Sequence, residues 1–163
     1  MMRRFGIVLF MVLTVWAATD ASGIERLRTK LFDIADHAPG TVGVAFVSDR
    51  DTVTVNNGAR YPMMSVFKLH QALAVADALE RNGSSFDSVL NIKASSLDRE
   101  TWSPMLKTVG DNDFNISIGK LVDYALTASD NNASNILFDR IVNPAQTDAF
   151  IRRIAPDTTF SIA

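Results

Sequence analysis

The spacing of apolar positions changes several times along the chain, and each change marks an element. Ser22-Gly-Ile-Glu25 has the serine-to-glutamate spacing of a capping box. Behind it Ile24, Leu27, Leu31, Ile34 and Ala35 recur at helical intervals, and Pro39-Gly40 ends that helix. Thr41 to Val47 is short, β-branched and apolar, which predicts a buried strand. Ser48 to Asp51 is a polar turn. The alternation of Thr52 to Val55 predicts an antiparallel return strand, closed by Asn56-Asn57-Gly58. Val42, Val44 and Phe46 would line one face of the hairpin, and Gly43, Ala45 and Val47 the other. Apolar residues on both faces predict a larger sheet covered on both sides, since a lone two-stranded hairpin is marginal. The strands that would complete it are not legible in these residues, which predicts an incomplete chain.

The rest of the pattern is mostly helical. Pro62 leads into a segment in which Val66, Phe67, Leu69, Ala72, Leu73, Val75, Ala76 and Leu79 are apolar around most of the circumference. Such a helix belongs inside a domain. Asn82-Gly83 ends it. Ser84 to Asn115 is rich in Ser, Asp and Asn and predicts loop with short helical pieces. Ile116 to Ala128 predicts a helix with Ile118, Leu121, Val122, Ala125 and Leu126 on one face. Another helix runs from Asn132 to Val142. Asn143-Pro144 then reads as a cap and first-turn proline before a last helix, Ala145 to Ile154. No internal repeat, low-complexity tract or linker interrupts the sequence.

The N-terminus does not belong to this pattern. Met1-Met2-Arg3-Arg4 is a basic start, and Phe5 to Ala18 is an uncharged apolar run of 14 residues followed by small residues. That is the layout of a secretory signal peptide, and the run is short of the ~20 residues a bilayer span needs. The expected organisation is a signal peptide over residues 1–21 and one domain over 22–163. The product is expected to be exported, periplasmic or secreted, with no stable membrane anchor after cleavage. At 163 residues the chain suits one domain, and a net charge of −2 offers no basic field for nucleic acid. With no cysteine, disulfides, thiolate catalysis and cysteine-ligated zinc are excluded within these residues.

Candidate chemistry centres on Pro62-Met-Met-Ser65-Val-Phe-Lys68. A serine at a helix start is ordinarily a cap. Here the helix is too apolar to be exposed, so Lys68 starts in a buried setting where an ammonium is costly without partners. Residues three apart are neighbours on a helix, so the Lys68 amine could reach the Ser65 hydroxyl directly. A buried lysine can lose its proton near neutral pH and act as a base. The helix N-terminus offers N–H groups and a positive dipole end to an oxyanion. One turn could therefore hold nucleophile, base and part of an oxyanion hole. A second Ser-x-x-Lys, Ser117 to Lys120, lies in an ordinary amphipathic helix and reads as a solvated face. The two histidines, His37 and His70, read as structural. His70 lies about 140° around the helix from Ser65, so neither a Ser-His-Asp triad nor a histidine-based metal site is legible.

Ser129-Asp130-Asn131 falls at a turn between two predicted helices. Taken alone it reads as helix capping. In register behind Ser65 and Lys68 it does more. Ser-x-x-Lys followed by Ser-Asp-Asn resembles the N-terminal half of a class A β-lactamase. The signal peptide, Arg60-Tyr61-Pro62-Met63-Met64 before the serine, and Trp102-Ser103-Pro104 add to the likeness. The resemblance implies an α+β, β-lactamase-like fold: a helical domain plus an antiparallel sheet with helices on both faces. This chain would hold the first helix, the first two strands and most of the helical domain. The resemblance also implies roles. Ser65 would be acylated, Lys68 would take or relay its proton, and Ser129 would pass a proton to the β-lactam nitrogen. Asn131 would bind the substrate amide and Lys68, Asp130 would brace the turn, and Trp102 would flank the substrate. The Ser65 N–H would be one oxyanion donor. The implied partner is a small-molecule β-lactam, acting on a monomer with no cofactor and no metal.

Two family features are missing. The deacylating glutamate should follow these helices, yet the only glutamates are Glu25, Glu80 and Glu100. No Lys-Thr-Gly occurs; Lys107-Thr108-Val109 precedes the serine turn. The chain ends on apolar Phe160-Ser161-Ile162-Ala163, which predicts a partial or truncated product, inactive alone. A penicillin-binding or sensing module, or a peptidoglycan DD-peptidase acylated without fast turnover, is the competing expectation. A non-enzymatic secreted binding protein is a third.

Overall fold

The computed structural model describes residues 21–157 and 160–162. The predicted signal peptide lies outside the described residues except for Ala21. Two compact units divide the chain, Met1–Pro62 and Met63–Ala163.

The first unit holds helix α1 (Ala21–Asp36) and the antiparallel pair β1 (Val44–Val47) and β2 (Thr52–Val55). α1 begins at Ala21, so Ser22 lies in its first turn and the predicted capping box is not its start. Ile24 and Ala35 are buried as their spacing predicts, but Ile34 is 64 % exposed. In the hairpin Val44 faces Val55 and Phe46 faces Val53, and both β2 valines are buried. The opposite face is open, with Ala45 and Val47 exposed. Among the described residues only one face of the hairpin is covered, in keeping with a sheet whose completing strands are not legible in this sequence. A side chain at Gly43 would meet the Tyr61 ring at 2.6 Å. The Tyr61 hydroxyl donates to Asn56 O, so the ring cannot swing away without losing that bond.

The second unit is helical around a short β-ribbon. A 3₁₀ turn (Met64–Val66) runs straight into α2 (Phe67–Arg81). Lys68, Gln71, Ala74, Val75, Ala78 and Leu79 make its buried stripe at intervals of three and four. Leu69 and Leu73 are about half exposed, so this helix is covered on one face and not all round as its composition predicts. Gly83, at φ 64, closes it by letting the Ser84 N–H reach Leu79 O.

Between α2 and the next long helix the structure differs from the loop expected there. β3 (Val89–Ile92) pairs antiparallel with β4 (Phe114–Ser117), with the short helix α3 (Leu106–Val109) between them. Ile116 sits in β4 opposite Leu90, so helix α4 (Ile118–Thr127) starts two residues later than predicted. Ser117 is its cap, accepting from the Lys120 N–H, while Lys120 Nζ pairs with Asp123. That second Ser-x-x-Lys is thus a cap and a surface ion pair. α5 (Asn131–Arg140) and α6 (Pro144–Ile154) complete the unit. Asn143 caps α6 with Pro144 in the first turn, as the sequence predicts, and Gln146 returns the bond to complete a capping box. Val75, Leu79, Met105, Leu121, Leu137 and Val142 lie in one apolar core that holds α2, α4 and α5 together. Among the described residues no helix is long and apolar enough to cross a membrane.

Candidate active site

Three segments of the second unit meet: the 3₁₀ turn and first turn of α2, the α4–α5 corner, and the loop before α3. Ser65 lies in the 3₁₀ turn, and neither that turn nor α2 has a side-chain cap. The hydroxyl is therefore not spent on capping. It accepts a 2.8 Å hydrogen bond from Ser129 Oγ.

Lys68 is 2 % exposed. Its Nζ donates to Ser129 O at 2.7 Å, to Asn131 Oδ1 at 2.7 Å and to Ser129 Oγ at 3.1 Å. Among the described contacts it makes no bond to Ser65, which corrects the direct contact expected from their helical spacing. Ser129 stands between the Lys68 amine and the Ser65 hydroxyl because the α4–α5 corner inserts its side chain there. Burial holds the Lys68 pKa below the ordinary lysine value, and the negative charge of Asp130 opposes that shift. An ammonium uses all three protons on these partners. A neutral amine keeps two donors for the 2.7 Å oxygens and turns its lone pair toward the longer contact, the Ser129 hydroxyl. Hydroxyl protons rotate to suit, so the chain Ser65–Ser129–Lys68 can carry a proton in either direction.

Two residues here adopt left-handed backbone without being glycine. Met64, just before Ser65, has φ 47, and Ser129 has φ 52. Each costs on the order of 1–3 kcal/mol, and such strain persists only where the surroundings over-determine it. At Ser129 the restraint is Asp130. Its carboxylate is fully buried and accepts from Ser103 Oγ, the Met105 N–H and the Ala133 N–H, the last capping α5. The capping reading of Asp130 is thus correct, and the cap also fixes the corner that carries Ser129 and Asn131.

The loop before α3 is strapped to the same corner. Asn132 exchanges two bonds with the Asp98 backbone, and the Asn131 N–H donates to Trp102 O. Trp102 Nε1 donates to Ala128 O, leaving the indole 65 % exposed at the edge of the site. Asn131 Nδ2 donates to Thr101 Oγ1 at 2.9 Å, so the amide has its oxygen on Lys68 and its nitrogen on Thr101. Thr101 was not legible in the sequence; its position just before Trp102 was the one available signal. Gln71 and Ser134, buried one turn below Lys68 and Asn131, were also missed.

Neither histidine takes part in these hydrogen bonds. His37 bonds Asp33 O, and His70 bonds Val66 O and packs edge-on against Phe160. Among the described residues no three His, Cys, Asp or Glu side chains gather where they could hold a metal.

A serine hydroxyl off the cap, a hydroxyl relay and a buried amine together make an arrangement suited to serine acyl transfer. The family model described as "Beta-lactamase enzyme family" matches residues 26–161, and the chain belongs to that family. A beta-lactamase of Phocaeicola vulgatus is 48% identical over 138 residues, covering 84% of this chain and 43% of its own length. The extended-spectrum beta-lactamase PER-1 of Pseudomonas aeruginosa is 27% identical, over 84% of this chain and 45% of that protein. Among solved structures, a class A beta-lactamase from Bacteroides cellulosilyticus superposes with TM-score 0.73 at 30% identity, covering 80% of this chain and 47% of that one. A beta-lactamase from Chitinophaga pinensis gives TM-score 0.76 at 33% identity, covering 85% and 52%. The fold is β-lactamase-like, and the chain is similar to the N-terminal portion of the class A enzymes. It spans about half the length of the curated relatives it matches.

Proposed function

We propose that the full-length protein carrying this chain hydrolyses the β-lactam ring of antibiotics through an acyl-enzyme on Ser65. The observation that carries the reading is the continuous path from Lys68 through Ser129 to a serine hydroxyl that caps nothing. Ser65 Oγ attacks the lactam carbonyl, and its proton moves through Ser129 to neutral Lys68. The carbonyl–nitrogen bond then breaks, and the nitrogen takes the Ser129 proton, which Lys68 replaces. Water finally cleaves the ester. The Ser65 N–H sits in the first helical turn, where backbone donors have no intrahelical acceptor and suit an oxyanion. Asn131 and the exposed Trp102 ring flank the place a substrate would occupy. The named β-lactamases among the relatives support this substrate class.

Export is part of the same proposal, resting on the basic start and apolar run of the first residues. N-terminal sequencing of the periplasmic or secreted protein should find residues 1–21 removed.

Mass spectrometry of the full-length protein mixed with a penicillin should show a covalent adduct on Ser65, absent in Ser65→Ala. Rapid disappearance of the adduct marks hydrolysis. An adduct that persists for hours marks an acylated binding or sensing protein instead. Turnover surviving in Ser65→Ala would overturn the proposal.

A further inference from the structure

Gln71 and Ser134 form a buried polar pair that the acyl-transfer chemistry does not use. Gln71 is 0 % and Ser134 1 % exposed. Gln71 Nε2 donates to Ser134 O at 2.8 Å, and Ser134 Oγ donates back to Gln71 Oε1 at 2.8 Å. The pair joins α2 to α5 one turn below the contact between Lys68 and Asn131. Lys68 and Gln71 are three residues apart on α2, and Asn131 and Ser134 are three apart on α5. Residues at that spacing are neighbours on one helix face, so the two contacts are successive rungs between the same helices.

The rungs differ in how they are anchored. The upper one joins two side chains, the Lys68 amine and the Asn131 amide. The lower one ties a side chain of α2 to the backbone of α5, and the return bond from Ser134 fixes which end of the Gln71 amide faces which partner. A helix advances 1.5 Å per residue, so a slide of α5 by one residue would break both bonds of the lower rung. Two apolar side chains would fill this space without the cost of desolvating an amide and a hydroxyl. Direction is what the polar pair adds.

We propose that the Gln71–Ser134 clasp is a positioning pair: it sets the register of α2 against α5 and thereby holds Lys68 on Asn131. This rests on the reading that Ser65 is the acylated serine. The clasp touches no reacting atom and acts through Lys68 and Asn131.

The test uses the full-length protein and the double variant Gln71→Leu/Ser134→Ala, which removes both side chains at once and leaves the Ser134 carbonyl as an ordinary acceptor inside α5. Replacing both ends of a hydrogen bond with apolar groups of similar shape is close to neutral for stability, so the variant should fold and melt near the wild-type temperature. Acylation of Ser65 by a chromogenic cephalosporin should slow by about tenfold to a hundredfold, the scale of an ångström-size misplacement. In an Asn131→Ala background the same double change should cost less than about twofold, because the contact it acts through is gone. A crystal structure of the double variant should show Lys68 drawn off Asn131 Oδ1. Acylation within twofold of wild type, an equal loss in the Asn131→Ala background, or an unchanged Lys68–Asn131 distance would each overturn the clasp. If the wild type itself forms no Ser65 adduct, the acyl-enzyme reading fails, while the crystallographic distance still decides whether the clasp sets the register.

Discussion

The Ser129 hydroxyl lies 2.8 Å from the Ser65 hydroxyl and donates to it, while Lys68 Nζ approaches the same Ser129 oxygen at 3.1 Å. The Lys68 amine is therefore linked to the Ser65 hydroxyl through one intervening hydroxyl. Ser129→Ala should separate the relay from the placement of the lysine. Lys68 keeps its bonds to the residue 129 carbonyl and to Asn131 Oδ1, since neither involves the deleted oxygen. Alanine also meets the same left-handed backbone that serine does. Acylation measured by stopped flow should fall by about 10²- to 10⁴-fold, the usual worth of a positioned proton-transfer group, with the melting temperature nearly unchanged. A loss below about fivefold would mean that the proton takes another route.

The lowered pKa of Lys68 fixes the sign of two pH dependences. Burial causes the shift and Asp130 opposes it. Only the neutral amine can accept the Ser65 proton, so acylation should rise with pH through the lowered value and level off before the ordinary lysine range. Stability should change in the same direction. Between the folded and the unfolded pKa the unfolded chain binds the extra proton, so stability climbs as pH rises through that window. Below the folded value both states are protonated, and the cost of burying the ammonium is carried in full. Lys68→Met should remove the rising limb from the kcat/KM profile and flatten the corresponding part of a urea-stability profile. A limb that survives the substitution would belong to another group.

Asp130 makes a separate prediction, on stability. Its two oxygens accept from Ser103 Oγ, the Met105 N–H and the Ala133 N–H with no solvent exposure. Asparagine has one acceptor oxygen and would turn an NH₂ group toward a donor. Asp130→Asn should destabilise the protein by about 3 kcal/mol, since bonds to a buried charge are each worth about 1.5–3 kcal/mol. Urea denaturation measures this. Where the variant remains folded, loss of the negative charge should lower the Lys68 pKa further and start the rising limb of acylation at a lower pH. A destabilisation under about 1 kcal/mol would mean that the corner is held by other contacts.

What was legible in the sequence was local. The Asn143-Pro144 cap and the Gly83 stop work within one helical turn, so neighbouring residues announce them. The apolar composition of α2 predicts burial for Lys68, and Lys68 is buried, although the helix is covered on one face only and which face that is was not legible. The β3–β4 ribbon was not legible, because Asn91, Asn115 and Ser117 favour turns and the pairing spans 24 residues between Asn91 and Asn115. Ile116 fits a strand or a helix period equally well, and only pairing with Leu90 decides. At the site, helical spacing placed Lys68 next to Ser65 but could not show that the corner 64 residues on would insert Ser129 between them. A lone threonine or glutamine carries no pattern at all, so Thr101 and Gln71 emerged only from the folded chain.

Thr101 makes a contact whose effect can be isolated. Its hydroxyl oxygen accepts from Asn131 Nδ2 at 2.9 Å, while Asn131 Oδ1 accepts from Lys68 at 2.7 Å. Without the threonine acceptor nothing on that side opposes a flip that would present the amide NH₂ to the lysine ammonium. Thr101→Val keeps the shape and removes the acceptor. It should lower kcat/KM for a cephalosporin by about fivefold, the equivalent of one neutral hydrogen bond near 1 kcal/mol. Thr101→Ser restores the oxygen and should recover most of the rate. Thr101 is only half-buried, so both variants should melt within about 2 °C of wild type, which a purely structural role would not predict alongside lost activity. Valine as active as threonine, or serine as impaired as valine, would show that the Asn131 amide is oriented by Lys68 alone.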